Sequence, residues 1–321
     1  MRTAYNLFIF IFFLTGSFSS SASGWNGEIR TIHVEKQDEQ SAWIKLGDTE
    51  EKSVEILLKI LRNSPTGAEI LKKAEKRADQ LGQDFQEVVM AGEGSLTDTT
   101  LIRRFSPSSP NEMEYETRSR VYVNRRLRVV DAVLDLAHEL THYSFRTPFN
   151  PYDKNFTLEG FVKSTVEGTG GEVEAFLIEC QVLNELFAQE ASQRDNCQKI
   201  IDPRTGRFSK KLGVEHFYRV GAHMPGFKRE MQDYQLKLKD FPHLSKGQAL
   251  FISSAWGLPY PVAAFKEYVT IMGRACENDL KRLSLLKNRL SRSPASFRES
   301  KTYQKMHSDF SGRCHQFEAQ L

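Results

Sequence analysis

Apolar positions change their period along this chain, and each change marks an element. Val54, Leu57, Leu58 and Leu61 recur at three- and four-residue steps, which predicts an amphipathic helix over "TEEKSVEILLKILRN", residues 49–63. Asp48 is its candidate N-cap, with Glu51 three residues on and placed to reach back. "SPTGAEILKKAEKRADQLG" predicts a second helix that ends at Gly82. The period then shortens. "FQEVVMAGE", "TTLIRRFS" and "EYETRSRVYVN" are short, rich in β-forming residues and separated by Gly, Asp, Pro and Ser. They predict a small antiparallel sheet.

A helical stripe returns at Val133, Leu134, Ala137, Leu140 and Tyr143, with Asp131 as candidate N-cap. The two prolines of "RTPFNPYDKN" break it. From Gly171, "GEVEAFLIECQVLNELFAQEA" is long and amphipathic, and "DPRTGRFSKKLG" after it is a turn-rich linker. The remainder is mostly helical, above all "PVAAFKEYVTIMGRACENDLKRLSLLKNRL". The order of elements predicts an α+β fold, mainly helical: a small sheet, two central helices and a helical C-terminal region.

The N-terminus adds a compartment. "MRTAYNLFIFIFFLTGSFSSSASG" has Arg2, an apolar run from Leu7 to Leu14 and then small residues, the layout of a secretory signal peptide. The expected cut lies near Ser23–Gly24. The run is shorter than the roughly 20 residues that span a bilayer. Export favours disulfides, and the four cysteines are Cys180, Cys197, Cys276 and Cys314. Cys180–Cys197 with Cys276–Cys314 closes the shortest loops. The expected domains are a signal peptide at 1–23, a flexible segment at 24–47, a catalytic region at 48–192 and a helical region at 193–321. A net charge of +3 on 321 residues is too small by itself to suggest a nucleic-acid or membrane-surface partner, and no nucleic-acid partner is expected. The arginines of "RSRVYVNRRLR" read as a solvent face. "EGTGGEVE" lacks a phosphate-binding lysine and reads as a helix entrance, and Asn155-Phe-Thr157 is a glycosylation sequon.

The chemistry lies in "LDLAHELTHYSF", residues 134–145, which contains His-Glu-x-x-His. Positions i and i+4 stack on one helix face, so His138 and His142 can offer two imidazoles to one ion. Glu139, one residue on, reaches the edge of that site, where a base acting on metal-activated water belongs. Such a site still needs a third protein ligand.

"HELTH" after the strand "SRVYVN" resembles the active-site helix of the zincin metallopeptidases, over roughly residues 50–190. The resemblance implies zinc held by His138 and His142, with Glu139 as catalytic base. The metzincin continuation is missing, because Pro148 stands where its third histidine would be. Glutamate zincins instead take a Glu from a following helix, in an E-x-x-A pattern that Glu172-Val173-Glu174-Ala175 matches. Phe176 replaces that pattern's usual acidic or amide partner. Glu172 also fits a capping box with Thr169, which leaves Glu174, and after it Glu179, as alternative ligands. Asp135 is a candidate acceptor behind an imidazole. Tyr143, His216, His223 and Tyr260 are candidate transition-state donors.

The expected protein is a secreted or periplasmic zinc (Zn2+) metallopeptidase acting on a protein or peptide substrate, without stable membrane insertion once the signal is cut. An extended substrate is expected to pair with the strand before the active-site helix. Two alternatives are a zincin-like protein that binds without catalysis and an amide hydrolase of the cell wall.

Overall fold

The structure is a computed structural model describing residues 41–106, 109–191, 195–234, 237, 241, 243–292 and 297–317. The expected signal peptide and residues 24–40 of the expected flexible segment lie outside the described residues. In chain order the elements are α1 (Glu50–Arg62), α2 (Pro65–Leu81), β1 (Val89–Gly92), β2 (Leu96–Ser106), β3 (Ser109–Asn124), α3 (Val129–Phe145), α4 (Leu158–Val166) and α5 (Glu172–Leu186). There follow α6 (Ala188–Ala191), α7 (Asp195–Lys199), α8 (Lys210–Phe217), α9 (Met224–Asp233), β4 (Ile252–Ser253), β5 (Leu258–Pro259), α10 (Tyr260–Arg292) and α11 (Phe297–Cys314). The class is α+β, mainly helical. The chain divides into two units.

The first unit takes in the described residues of Met1–Arg104, Glu114–Pro148 and Thr165–Glu215. Its axis is α3, which packs against α1, α2 and α5. The predicted stripe of α3, Val133, Leu134, Ala137, Leu140 and Tyr143, is buried. So are Val54, Leu57 and Leu61 of α1. The cap of α1 is Thr49 rather than Asp48: its side chain accepts from the Lys52 amide. Ser64 caps α2, and Gly82 ends that helix in the left-handed conformation. Asp131 is not the cap of α3. Arg128 occupies that position without a side-chain bond to the helix-start amides, and Asp131 sits in the first turn, 3.8 Å from the Arg128 guanidinium.

The sheet is mixed rather than antiparallel throughout. Its order is β1-β3-β2, and β1 runs parallel to β3, with Val89 opposite Val121 and Ala91 opposite Val123, all four buried. Ser95, just before β2, and Thr99 and Arg104 within it meet Asn124, Ser119 and Glu116, which descend along β3, so that pair is antiparallel. The strand directly before α3 is therefore the central one, and β2 is an edge. Part of the segment expected to be flexible is built in. Trp43 is fully buried, its backbone N–H donates to Leu127 O at 2.9 Å, and its indole N–H donates to Asn124 O at 2.7 Å. A large aromatic surface with a satisfied polar tip holds those residues in the core. Cys180 of α5 is bonded to Cys197 of α7.

The second unit takes in the described residues of Phe105–Met113, Phe149–Ser164 and His216–Leu321. It is built on α10 and α11, joined by Cys276–Cys314. An aromatic cluster fills its core, with Phe161, Tyr268 and Phe317 in contact and Phe227 edge-on to Phe265. Beside the disulfide, Arg313 is paired with Asp279. Among the described residues no helix is long and apolar enough to cross a membrane.

Candidate metal centre

His138 and His142 lie one helical turn apart on α3, and their ring centroids are 4.8 Å apart. The helix must end soon after, because Pro148 forces the backbone into an extended path and Arg146 is the extended C-cap. The chain returns through a glycine turn. Gly170 has φ of +68°, and a Cβ there would stand 2.6 Å from the Arg146 amide nitrogen. Only glycine lets α5 begin so close to the end of α3.

That approach delivers Glu172. Its Oε2 lies 3.3 Å from His138 Nε2, and its Oε1 lies 3.5 Å from His142 Nε2. Ligand-type atoms of His138, His142 and Glu172 all fall within 4.8 Å of one another, so the three can hold a metal ion. Glu172 is the first residue of α5 after its N-cap, Gly171. A capping box from Thr169 is therefore absent, and Glu172 does not cap. The reach-back belongs to Glu174, whose Oε2 accepts from the Gly170 amide at 3.0 Å and lies 3.8 Å from Lys210 Nζ. Glu174 is thus placed on the backbone rather than with the histidines.

Each imidazole is fixed from behind. His142 Nδ1 donates to Gly170 O at 2.8 Å, which turns Nε2 toward Glu172. His138 Nδ1 lies 3.3 Å from Glu179 Oε2. Glu179 is therefore not among the converging ligands but behind one of them. It supplies the carboxylate that Phe176 lacks, one turn further along α5. Asp135 does not take that place: it hydrogen-bonds Ser95. Arg146, four residues past His142, donates to Glu172 Oε1 at 3.2 Å. Glu139 is buried, and Thr97 Oγ1 lies 2.8 Å from its Oε2 and 2.8 Å from its backbone O.

Charge is concentrated here. Burial opposes a proton on His138, yet the carboxylates of Glu172, Glu179 and Glu139 outweigh it and hold the imidazole well above its ordinary range. Burial likewise opposes charge on Glu172, but His142, His138 and Arg146 keep it ionised well below the usual carboxylate range. Burial pushes Asp135 up to about 7 against its bond from Ser95, and the charges of Glu179 and Glu139 add to the rise. An acid-rich, proton-holding cluster of this kind is matched to a cation.

The proposed donors separate. The Tyr143 hydroxyl turns to Gln83 Oε1 at 3.4 Å, and burial pushes it up to about 12. His216, His223 and Tyr260 belong to the second unit. Glu179 stands seven residues from Glu172, on the same face of α5, and Arg146 stands four residues past His142, at the extended C-cap of α3. Thr97 has no such signal, being 42 residues from Glu139.

Compared with known proteins, the chain matches no family model, no curated protein and no solved structure.

Proposed function

We propose that this chain is an exported zinc metallopeptidase of the glutamate-zincin kind, with His138, His142 and Glu172 as metal ligands and Glu139 as general base. One observation carries the reading: the two Nε2 atoms and the Glu172 carboxylate converge, with a buried Glu139 beside them. Two imidazole nitrogens and one carboxylate oxygen suit zinc, and three protein ligands leave a fourth position open. Zinc bound there supplies Lewis acidity, which lowers the pKa of water to about 7 and polarises a carbonyl.

The residues of the chain do the rest. Gly170 O and Glu179 hold the rings so that both Nε2 atoms face inward. Arg146 holds the third carboxylate on its α3 side. Glu139 takes the proton of the attacking water and passes it to the leaving amine. An extended peptide pairs with β2, the edge strand whose Thr97 touches Glu139, rather than with the central β3. Two disulfides and the signal-like N-terminus support an oxidising, extracytoplasmic compartment, secreted or periplasmic.

Elemental analysis of the purified full chain tests this. About one zinc per chain is expected in the wild type, in Glu139→Gln and in Glu174→Ala, and its loss in His142→Ala and Glu172→Ala. Cleavage of a randomised fluorogenic peptide mixture should fall by roughly 10²–10⁴-fold in Glu139→Gln. A wild type without metal, or a Glu139→Gln that cleaves normally, removes the proposal.

A further inference from the structure

β2 and the residue before it meet α3 through hydroxyl groups. Ser95 is the residue before β2 and Thr97 the second residue within it, two positions apart. Asp135 and Glu139 stand one turn apart on α3, spaced by about 6 Å. The Ser95 hydroxyl acts on Asp135, and Thr97 bonds Glu139. Thr99, two residues beyond Thr97, turns instead to Ser119 at 3.0 Å.

Thr97 is distinct among these contacts. Its single hydroxyl lies 2.8 Å from the Glu139 carboxylate and 2.8 Å from the backbone oxygen of the same residue. The hydroxyl carries one proton, shared between the two oxygens, and this ties the carboxylate to its own backbone and narrows its rotamers. Among the described residues no other side chain hydrogen-bonds the Glu139 carboxylate. The metal ligands have several supports: Gly170 O, Glu179 and Arg146. The base has Thr97.

We infer that Thr97 is the positioning residue for Glu139, holding its carboxylate toward the centre from the edge strand on which a peptide would lie. This rests on the hydrolase reading above. General-base catalysis depends on geometry first, and a misplacement of about 1 Å can cost ~100-fold. Among the described residues the Thr97 hydroxyl is hydrogen-bonded to Glu139 and to none of the proposed ligands, so its effect should appear in turnover and not in metal content.

The test uses zinc-loaded full-length protein and a randomised fluorogenic peptide mixture, with kcat and KM then taken on the best-cleaved peptide. Thr97→Val keeps the shape and removes the donor. It should lower kcat by roughly 10–100-fold, with KM, zinc content and unfolding temperature near wild type. Thr97→Ser restores a hydroxyl and should recover most of kcat. In a Glu139→Gln background, Thr97→Val should add no further loss. The inference is overturned if Thr97→Val turns over like the wild type, if its loss persists undiminished beside Glu139→Gln, or if the loss follows zinc content or stability and Ser does not rescue it. Failure of the hydrolase reading looks different, because the wild type itself then cleaves nothing; that result overturns both.

Discussion

Four carboxylates, those of Asp135, Glu139, Glu172 and Glu179, act on one imidazole or on one another. Asp135 carries a consequence that needs no metal. Its folded value of about 7 stands above its ordinary 3.8. A carboxyl raised on folding gives stability that is complete below the ordinary value and is lost as pH rises through the folded one. In metal-free protein, Asp135→Asn should therefore gain on the wild type as pH rises from about 4 to about 7. Urea unfolding across that range, with chelator present, measures the gap; a gap independent of pH would contradict the assignment. The spacing of His138, Glu139 and His142 was legible because a helix fixes it locally. The parts played by Glu172 and Glu174 were harder to separate. Both follow a glycine turn, and moving the cap from Thr169 to Gly171 exchanges which carboxylate reaches the backbone and which reaches the histidines. Thr97 was not legible at all, because only the packing of β2 on α3 brings it to Glu139.

At the scale of elements, the site is a joint between the end of α3 and the start of α5. The joint works because Gly170 has no side chain. A Cβ there would meet the Arg146 amide nitrogen at 2.6 Å and Phe145 Cβ at 2.8 Å, and the residue already has φ of +68°. Gly170→Ala should cost about 1–3 kcal/mol of stability from the backbone conformation alone. It should also weaken zinc binding, since the carbonyl that orients His142 moves with the turn. Competition with a chromophoric chelator measures the second effect, and unchanged affinity would mean the turn does not set the ring. The helices were readable because their apolar stripes repeat within the element. The pairing of β1 with β3 was not: a parallel pair depends on a partner about thirty residues away, and local alternation does not encode its direction. The same limit made β3 look like the substrate-pairing strand until its two neighbours were known.

At the scale of the molecule, the two units each have a core and a disulfide, but the candidate metal residues all belong to the first. A ligand stabilises what it binds by an amount set by its concentration over Kd, about 2.7 kcal/mol at a hundredfold excess. Zinc can extend that to distant residues only if they open together with the site. The acid-rich centre has most to gain, since a dication relieves the crowding of its carboxylates and displaces the proton on His138. Hydrogen exchange with and without zinc should therefore show added protection in α3 and at the start of α5, lost in His142→Ala. The amides of α10 and α11, which have their own cross-link and aromatic core, should exchange at unchanged rates. Protection spreading equally through α10 and α11 would show that the two units unfold as one body, and that metal binding governs the whole chain rather than the half that carries the histidines.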